Sequence, residues 1–348
     1  MTEMATRTTK AEVISLVRDP VIDVVRGFAI TAMVVWHSVM LFSETRNCHL
    51  QTCGNLAKPV WWATVYVGSF LSVPLFYLAA GMTLAFNLEH GKGRRIARRA
   101  LLVITAGYAF SAFVGGWRHI LDVQVLQSIG AGILLMQVFS RFRRGWLLLY
   151  AVSMGVTAVN AGGKSVHVPE YSSLAMFPSY LLDGMQALLL DGNFPLLAWG
   201  GFMALGYGMR RVIGNPWSVR TRVALGTVLM FASFGDKVSK YPMSLGYLLL
   251  FSGLCLVIIA SLDSVAVDLR IWCSSRRLGR IWVGISRHSL EIYLGHFVIG
   301  ILATRTFPEF KIPIGGGLLV GVLAMLVIGL LLSPSRATWH LRATDPNP

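Results

Sequence analysis

The sequence predicts an all-α integral membrane protein, a single bundle of about ten transmembrane helices with both termini in the cytoplasm. Hydrophobic residues make up 55% of the chain and charged residues only 14%, whereas soluble domains carry about 25% charged residues. The mean hydropathy is +0.62. Because a helix needs about 20 apolar residues to cross a bilayer, a chain of 348 residues has room for about ten crossings and no separate soluble domain.

Apolar segments follow one another along the chain, and each is predicted to form a helix because the connections between them carry the Gly, Pro and charged residues that end helices. The segments are 22–42, 61–86, 100–116, 120–140, 146–160, 194–210, 223–234, 242–262, 287–304 and 313–333. The segment 223–234 is short for a crossing. The stretch 174–191 contains Pro178 and two aspartates, so we predict a re-entrant or interfacial helix there.

The basic residues test this topology, because cytoplasmic loops carry an excess of Lys and Arg. Of the 31 Lys and Arg residues, 23 fall on alternate connections that include both termini, and eight fall on the opposite connections. This unequal distribution of Lys and Arg predicts that both termini are cytoplasmic. It also explains the net charge of +15 as mainly a topology device, so no nucleic-acid partner is needed.

The chain therefore divides into a cytoplasmic N-terminal segment, 1–21, a multi-pass domain, 22–333, and a cytoplasmic tail, 334–348. We expect no cleaved signal peptide, because 1–21 is polar and the first apolar segment runs on to Phe42 without a small-residue cleavage pattern.

Two ionisable residues share the first apolar segment. Arg26 lies near its start and His37 follows eleven residues later, which places both on one helical face, roughly 16 Å apart. A bilayer tolerates an ionisable side chain at depth only when it faces protein or a polar cavity. His37 is therefore a candidate functional residue, with an interhelical hydrogen bond as the structural alternative. Arg26 has a simpler alternative, a topology-setting charge paired with Asp23.

A second histidine is predicted at similar depth. His296 lies eight residues, about 12 Å, beyond His288 at the predicted cytoplasmic edge. Tyr293 shares its face. Both side chains are candidates for orienting a substrate, or for hydrogen bonds within the bundle.

Four arginines, Arg94, Arg95, Arg98 and Arg99, lie at the cytoplasmic start of the third segment. Planar guanidinium groups suit phosphate oxygens, and Arg95 and Arg98 share a helical face. The alternative is that these are ordinary positive-inside charges.

The predicted outer side carries two further features. Trp117, Arg118 and His119 are predicted to lie at an outer turn between two spans, where their side chains could stack on and hydrogen-bond a sugar or could simply anchor the chain at the interface. Cys48 and Cys53 fall in one outer loop, where they either form a short disulfide or stay a free pair. We expect no metal site, because Cys255 is predicted to be a packing residue and Cys273 lies on the predicted cytoplasmic side.

Ordered motifs extend this pattern over residues 18 to 300. They are Arg26-Gly27 with His37, Pro74-Leu-Phe-Tyr-Leu-Ala-Ala-Gly81, Arg94-Arg95-Ile-Ala-Arg98-Arg99, Leu126-Gln127-Ser128-Ile129-Gly130, Phe194-Pro195 with Trp199 and Gly206, and Ser289-Leu-Glu291-Ile-Tyr293-Leu-Gly-His296. This set resembles the transmembrane acyltransferase superfamily. It is most similar to the catalytic domain of heparan-alpha-glucosaminide N-acetyltransferase and shares features with the acyltransferase-3 group.

The chain departs from that superfamily in three respects. Val25 and Phe28 stand where many relatives have Leu, the proline common after the acyltransferase-3 arginine motif is missing at 100–103, and the large extensions of some relatives are absent. Those extensions often supply acceptor choice, so the acceptor is left open.

The resemblance implies a membrane acyltransferase domain over 22–333 in a bacterial-type cytoplasmic membrane. It implies transfer of an acetyl or other short acyl group from cytoplasmic acyl-CoA to a hydroxyl or amine of an extracytoplasmic saccharide. Arg26, Arg95 and Arg98 would hold the CoA. His37 would be the general base, while Tyr293 or His296 would position the thioester or its oxyanion.

Two alternatives stay open at this stage. In one, His37 carries the acyl group covalently. In the other, the chain is a transporter or flippase for a sugar or lipid-linked glycan, although the paired interrupted helices of such proteins are not found. The acyl chain length and the oligomeric state, including a homodimer, are open as well.

Overall fold

The computed structural model describes residues 19–42, 59, 64–115, 124–160, 184–191, 194–212, 219–236, 238, 240, 243–307 and 314–332. All regular secondary structure within these residues is helical. The α-helices are α1 Pro20–Phe42, α2 Ser72–Glu89, α3 Gly93–Gly115, α4 Val125–Phe139, α5 Gly145–Asn160, α6 Leu196–Val212, α7 Val219–Ala232, α8 Leu245–Ser264, α9 Ala266–Ser275, α10 Arg277–Arg287, α11 Ser289–Thr306 and α12 Ile314–Leu332. Two π-helical segments, Val65–Leu71 and Ala187–Asp191, complete the described structure.

Each predicted apolar segment corresponds to a helix, so the all-α class is confirmed for the described residues. Of the uncertain stretch 174–191, only residues 184–191 are described, and they are helical. Helix α3 begins at Gly93, seven residues before the predicted segment. Because the helix starts earlier than predicted, its first turns carry Arg94, Arg95, Arg98 and Arg99.

Two short helices, α9 and α10, occupy the stretch that the sequence predicted to be a connection between spans. Helix α10 is amphipathic. It buries Ile281, Val283 and Ile285, while Arg277 and Arg280 stay exposed or partly exposed. Because the charged face cancels the apolar face in any hydropathy average, a search for uniformly apolar segments misses such a helix.

Four helical stretches are long and apolar enough to cross a membrane: Pro20–Phe42, Val65–Glu89, Gly93–Val114 and Leu245–Ser264. Shorter apolar helices are Val125–Phe139, Gly145–Val159 and Gly316–Leu332. These lengths and compositions are those of a membrane protein. The count of ten spans, the cytoplasmic termini and the division into 1–21, 22–333 and 334–348 stay predictions.

The chain forms two compact units, residues 1–69 with 262–348, and residues 70–261. In the described part of the first unit, α1 is the central helix and packs against α9, α10, α11 and α12. Glycines permit close approach at two of these crossings. A Cβ on Gly27 would lie 2.5 Å from the indole nitrogen of Trp282 on α10, and one on Gly321 of α12 would lie 2.9 Å from the Cα of Val35.

In the second unit, the close pair α2 and α6 also meets through glycines. A side chain on Gly81 would clash with the main-chain carbonyl of Met203, and one on Gly206 would clash with that of Leu78. Small residues at such positions let two helix backbones pack closely where water is absent. Gly81 and Gly206 both belong to the motifs that carry the family resemblance.

An aromatic cluster fills the core of this second unit. The ring of Trp199 lies between 5.4 and 5.8 Å from the rings of Tyr77, Phe194, Phe202 and Tyr247, measured between centroids. Trp199 is fully buried. Phe194 and Trp199 of the motif at 194–206 therefore pack in this aromatic cluster.

Candidate functional site

His37 and His296 are in direct contact. The Nδ1 atom of His37 lies 3.0 Å from the Nε2 atom of His296, although 259 residues separate them in the chain. The two rings stack with centroids 5.1 Å apart and an interplanar angle of 22°. Both side chains are partly buried. His37 and His296, which the sequence indicated as separate candidate residues, thus form one pair between α1 and α11.

His296 is held from its other side by its own helix. Its Nδ1 atom lies 3.0 Å from the main-chain carbonyl oxygen of Ile292, one turn earlier. Both ring nitrogens of His296 therefore have hydrogen-bond partners, and the ring has little freedom to rotate. The imidazole of His37 is oriented by this fixed neighbour.

Two aromatic rings of α11, those of Phe297 and Tyr293, pack against the pair. The ring of Phe297 lies 4.3 Å from the ring of His37 and 4.3 Å from that of His296. Tyr293 is buried, and its ring meets His296 edge-on with centroids 5.7 Å apart. Phe297 was missed in the sequence analysis. Its position directly after His296, with an aromatic four residues earlier at Tyr293, is the signal that could have found it.

The start of α1 is held by α10. The buried Asp23 carboxylate accepts a hydrogen bond of 2.9 Å from the hydroxyl of Ser286. The indole N–H of Trp282 donates to the main-chain carbonyl of Val24 over 3.0 Å. Arg26, on this same turn, is partly buried. Ser286 and Trp282 were missed because α10 was predicted to be a connection.

Arg95 and Arg98, in the second unit, are exposed on the first two turns of α3. The amide groups at a helix N-terminus carry partial positive charge, so this end of α3 joins a helix dipole to a set of guanidinium groups. Such a surface is suited to phosphate oxygens.

Several predicted residues lie outside the described part of the chain. They are Trp117, Arg118 and His119, and the pair Cys48 and Cys53. Cys255 and Cys273 are described as buried free thiols. Among the described residues, no three His, Cys, Asp or Glu side chains lie close enough together to hold a metal ion.

The described residues define a helical membrane protein in which two histidines of one compact unit contact each other beside aromatic side chains. The family described as heparan-alpha-glucosaminide N-acetyltransferase, catalytic, matches residues 18–237, and the chain belongs to this family of membrane acetyltransferases. No curated protein matches the chain. The matched range contains His37 but ends before His296, so it is the structure that connects His296 to the site.

Proposed function

We propose that the protein moves an acetyl group from cytoplasmic acetyl-CoA to a hydroxyl or amine of an extracytoplasmic saccharide. The contact between His37 and His296 is the observation that carries this proposal. Acyl transfer needs a base beside the acceptor, and imidazole is the side chain best matched to that task near neutral pH. The family match supports acetyl as the group transferred.

In the proposed reaction His37 acts as the general base. It takes the proton from the acceptor O–H or N–H while that oxygen or nitrogen attacks the thioester carbon. The C–S bond then breaks, and the CoA thiolate takes the proton back from the His37 imidazolium. Every proton is accounted for, and the imidazole ends the cycle neutral. Tyr293 is proposed to help position the thioester beside this imidazole.

The donor is proposed to bind through its phosphates. Arg95 and Arg98 are exposed at the positive end of α3, where bidentate guanidinium contacts to phosphate oxygens carry little desolvation cost. Arg26 is proposed as a further CoA contact. Trp117, Arg118 and His119 stay the residues proposed to bind the acceptor. The proposed setting is a bacterial-type cytoplasmic membrane.

A covalent route is the rival mechanism. In it, the His37 imidazole attacks the thioester, CoA thiolate leaves, and the acyl-imidazole then gives its acyl group to the acceptor. Direct transfer requires both substrates to be bound together, so it predicts sequential kinetics. The covalent route predicts ping-pong kinetics and an acetylated protein when the acceptor is withheld.

The proposal is tested with purified protein in lipid nanodiscs, radiolabelled acetyl-CoA and glucosamine as an amine acceptor. Wild type is expected to release CoA and label the sugar, and His37→Ala is expected to lose about 10²- to 10⁴-fold in rate. His90→Ala is the matched control, because His90 is an exposed histidine at the end of α2. Wild-type protein that neither binds acetyl-CoA nor transfers or hydrolyses its acetyl group would overturn the proposal.

A further inference from the structure

The contacts of His296 are compatible with one neutral tautomer. A carbonyl oxygen only accepts hydrogen bonds, so the Nδ1 atom that faces the Ile292 carbonyl at 3.0 Å must carry the proton. A neutral imidazole has one N–H. The Nε2 atom of His296 therefore presents its lone pair.

The tautomer of His296 in turn determines that of His37. Because Nε2 of His296 is an acceptor, the Nδ1 atom of His37, 3.0 Å away, must be the donor. Neutral His37 then has its proton on Nδ1 and its lone pair on Nε2. A main-chain carbonyl on α11 thus determines, through two imidazoles, which nitrogen of His37 is basic.

We propose that His296 is a positioning residue that fixes the tautomer of His37, so that Nε2 of His37 is the atom that takes the acceptor's proton. This inference rests on the proposed function. The proton moves from the acceptor O–H or N–H to Nε2 and leaves from Nε2 to the CoA thiolate, while the Nδ1–H bond to His296 is kept throughout. In the covalent route the same nitrogen would attack the thioester carbon.

Neutral His296 gives the Nδ1–H of His37 a hydrogen-bond acceptor that, unlike a carboxylate, carries no charge. When His37 is protonated, its Nδ1–H faces the neutral lone pair of His296, which strengthens the hydrogen bond and stabilises the imidazolium. The rings of Phe297 and Tyr293 next to the pair are apolar surroundings in which an additional carboxylate would be costly to bury. A neutral orienting group suits this environment.

A purely structural role for His296 makes a different prediction, because packing needs only a ring of the right size. His296→Phe keeps an aromatic ring and removes the acceptor. His296→Gln removes the ring and keeps an amide oxygen that can accept from Nδ1 of His37. Comparing the two variants separates tautomer control from packing.

Steady-state kinetics in nanodiscs with acetyl-CoA and glucosamine give the first readout. We expect His296→Phe to lower kcat by about 10²-fold or more, the scale of a mispositioned base, with KM for acetyl-CoA unchanged. His296→Gln is expected to recover kcat to within about tenfold of wild type. Wild-type kcat in His296→Phe, or equal losses in both variants, would overturn the inference and leave the acetyltransferase proposal standing.

The second readout needs no turnover. Nitrogen-15 NMR of histidine-labelled protein in lipid bilayers reports which ring nitrogen carries the proton, and His37→Gln identifies the His37 signals by their loss. Wild type and His296→Gln are expected to show neutral His37 protonated at Nδ1, and His296→Phe is expected to lose that preference. Wild-type His37 protonated at Nε2 would overturn the inference. If the tautomer is as inferred but no acetyl transfer occurs, the proposed function fails instead.

Discussion

The hydroxyl of Ser286 donates a hydrogen bond of 2.9 Å to the carboxylate of Asp23, joining α10 to the first turn of α1. Both residues are buried, with Asp23 4% exposed and Ser286 fully enclosed. The sequence suggested Arg26 as the partner of Asp23 because the two are three residues apart. The fold adds a partner 263 residues away, on a helix that the sequence did not predict.

This contact predicts a loss of stability on removing the hydroxyl. Ser286→Ala takes a hydrogen-bond donor from a buried carboxylate, which costs about 1–3 kcal/mol. We expect a lower Tm for thermal unfolding in detergent. Ser274→Ala is the control, because the Ser274 hydroxyl is exposed and bonds only within its own helix. An unchanged Tm for Ser286→Ala would show that the contact adds nothing to stability.

A second prediction concerns the packing of Gly27 against Trp282. Gly27→Ala would place a Cβ 2.5 Å from the indole nitrogen of Trp282, so the ring must move and its hydrogen bond to the Val24 carbonyl must weaken. We expect a lower Tm and reduced acetyl transfer, since His37 lies on the same helix.

Gly155→Ala is the control for Gly27→Ala, and Trp282→Phe is the background expected to rescue it. Gly155 has nothing within 4 Å of an added Cβ, so Gly155→Ala should be neutral or stabilising, as expected for alanine in a helix. In a Trp282→Phe background, Gly27→Ala should cost less than in wild type because the smaller ring leaves room. An equal lowering of Tm by Gly27→Ala in the wild-type and Trp282→Phe backgrounds would contradict the proposed clash.

Donor binding gives the third prediction. Arg95→Gln and Arg98→Gln should raise KM for acetyl-CoA with little change in kcat, because the contacts proposed for these arginines are to the CoA phosphates and not to the reacting thioester. The effect should shrink as salt is raised, since the arginines are exposed. Arg144→Gln, an exposed arginine on the turn after α4, is the matched control. A lowered kcat at unchanged KM would argue against a role in donor binding.

A fourth prediction concerns Lys240, which lies between α7 and α8. Its side chain is 7% exposed, and its ammonium lies 5.9 Å from the ring centre of Phe70 and 6.0 Å from that of Phe194. Burial lowers the pKa of Lys240 from 10.5 to about 7. The cause is desolvation, because burial disfavours the charged ammonium relative to the neutral amine.

The pH dependence follows from this lowered pKa. Between pH 7 and pH 10.5 the unfolded chain holds a proton on Lys240 that the folded chain has released, so folding is more stable as pH rises through this window. Replacing Lys240 with Met should remove that rise, seen as a flatter dependence of Tm on pH. Lys92→Met, at an exposed turn, should keep the wild-type slope. Parallel slopes for wild type and Lys240→Met would contradict the prediction.

Much of the helical structure and part of the site could be predicted from the sequence. Apolar segments identified the main helices because bilayer-spanning length is a local property. His37 and His296 stood out individually because an imidazole is unusual in an apolar helix. Ser286 and Trp282 did not, because the amphipathic α10 averages to a polar segment and neither residue type is unusual there.

The sequence by itself thus determined the helical class of the described residues and their apolar, membrane-type composition, and it placed ionisable side chains within the apolar segments, since composition and the 3.6-residue period need no long-range information. Only the tertiary structure decided that His37 meets His296 and that Phe297 packs against His37. The contacts between α1 and α11 depend on the crossing angle and the distance between these two helices. Those are properties of packing between distant segments, which no local pattern encodes.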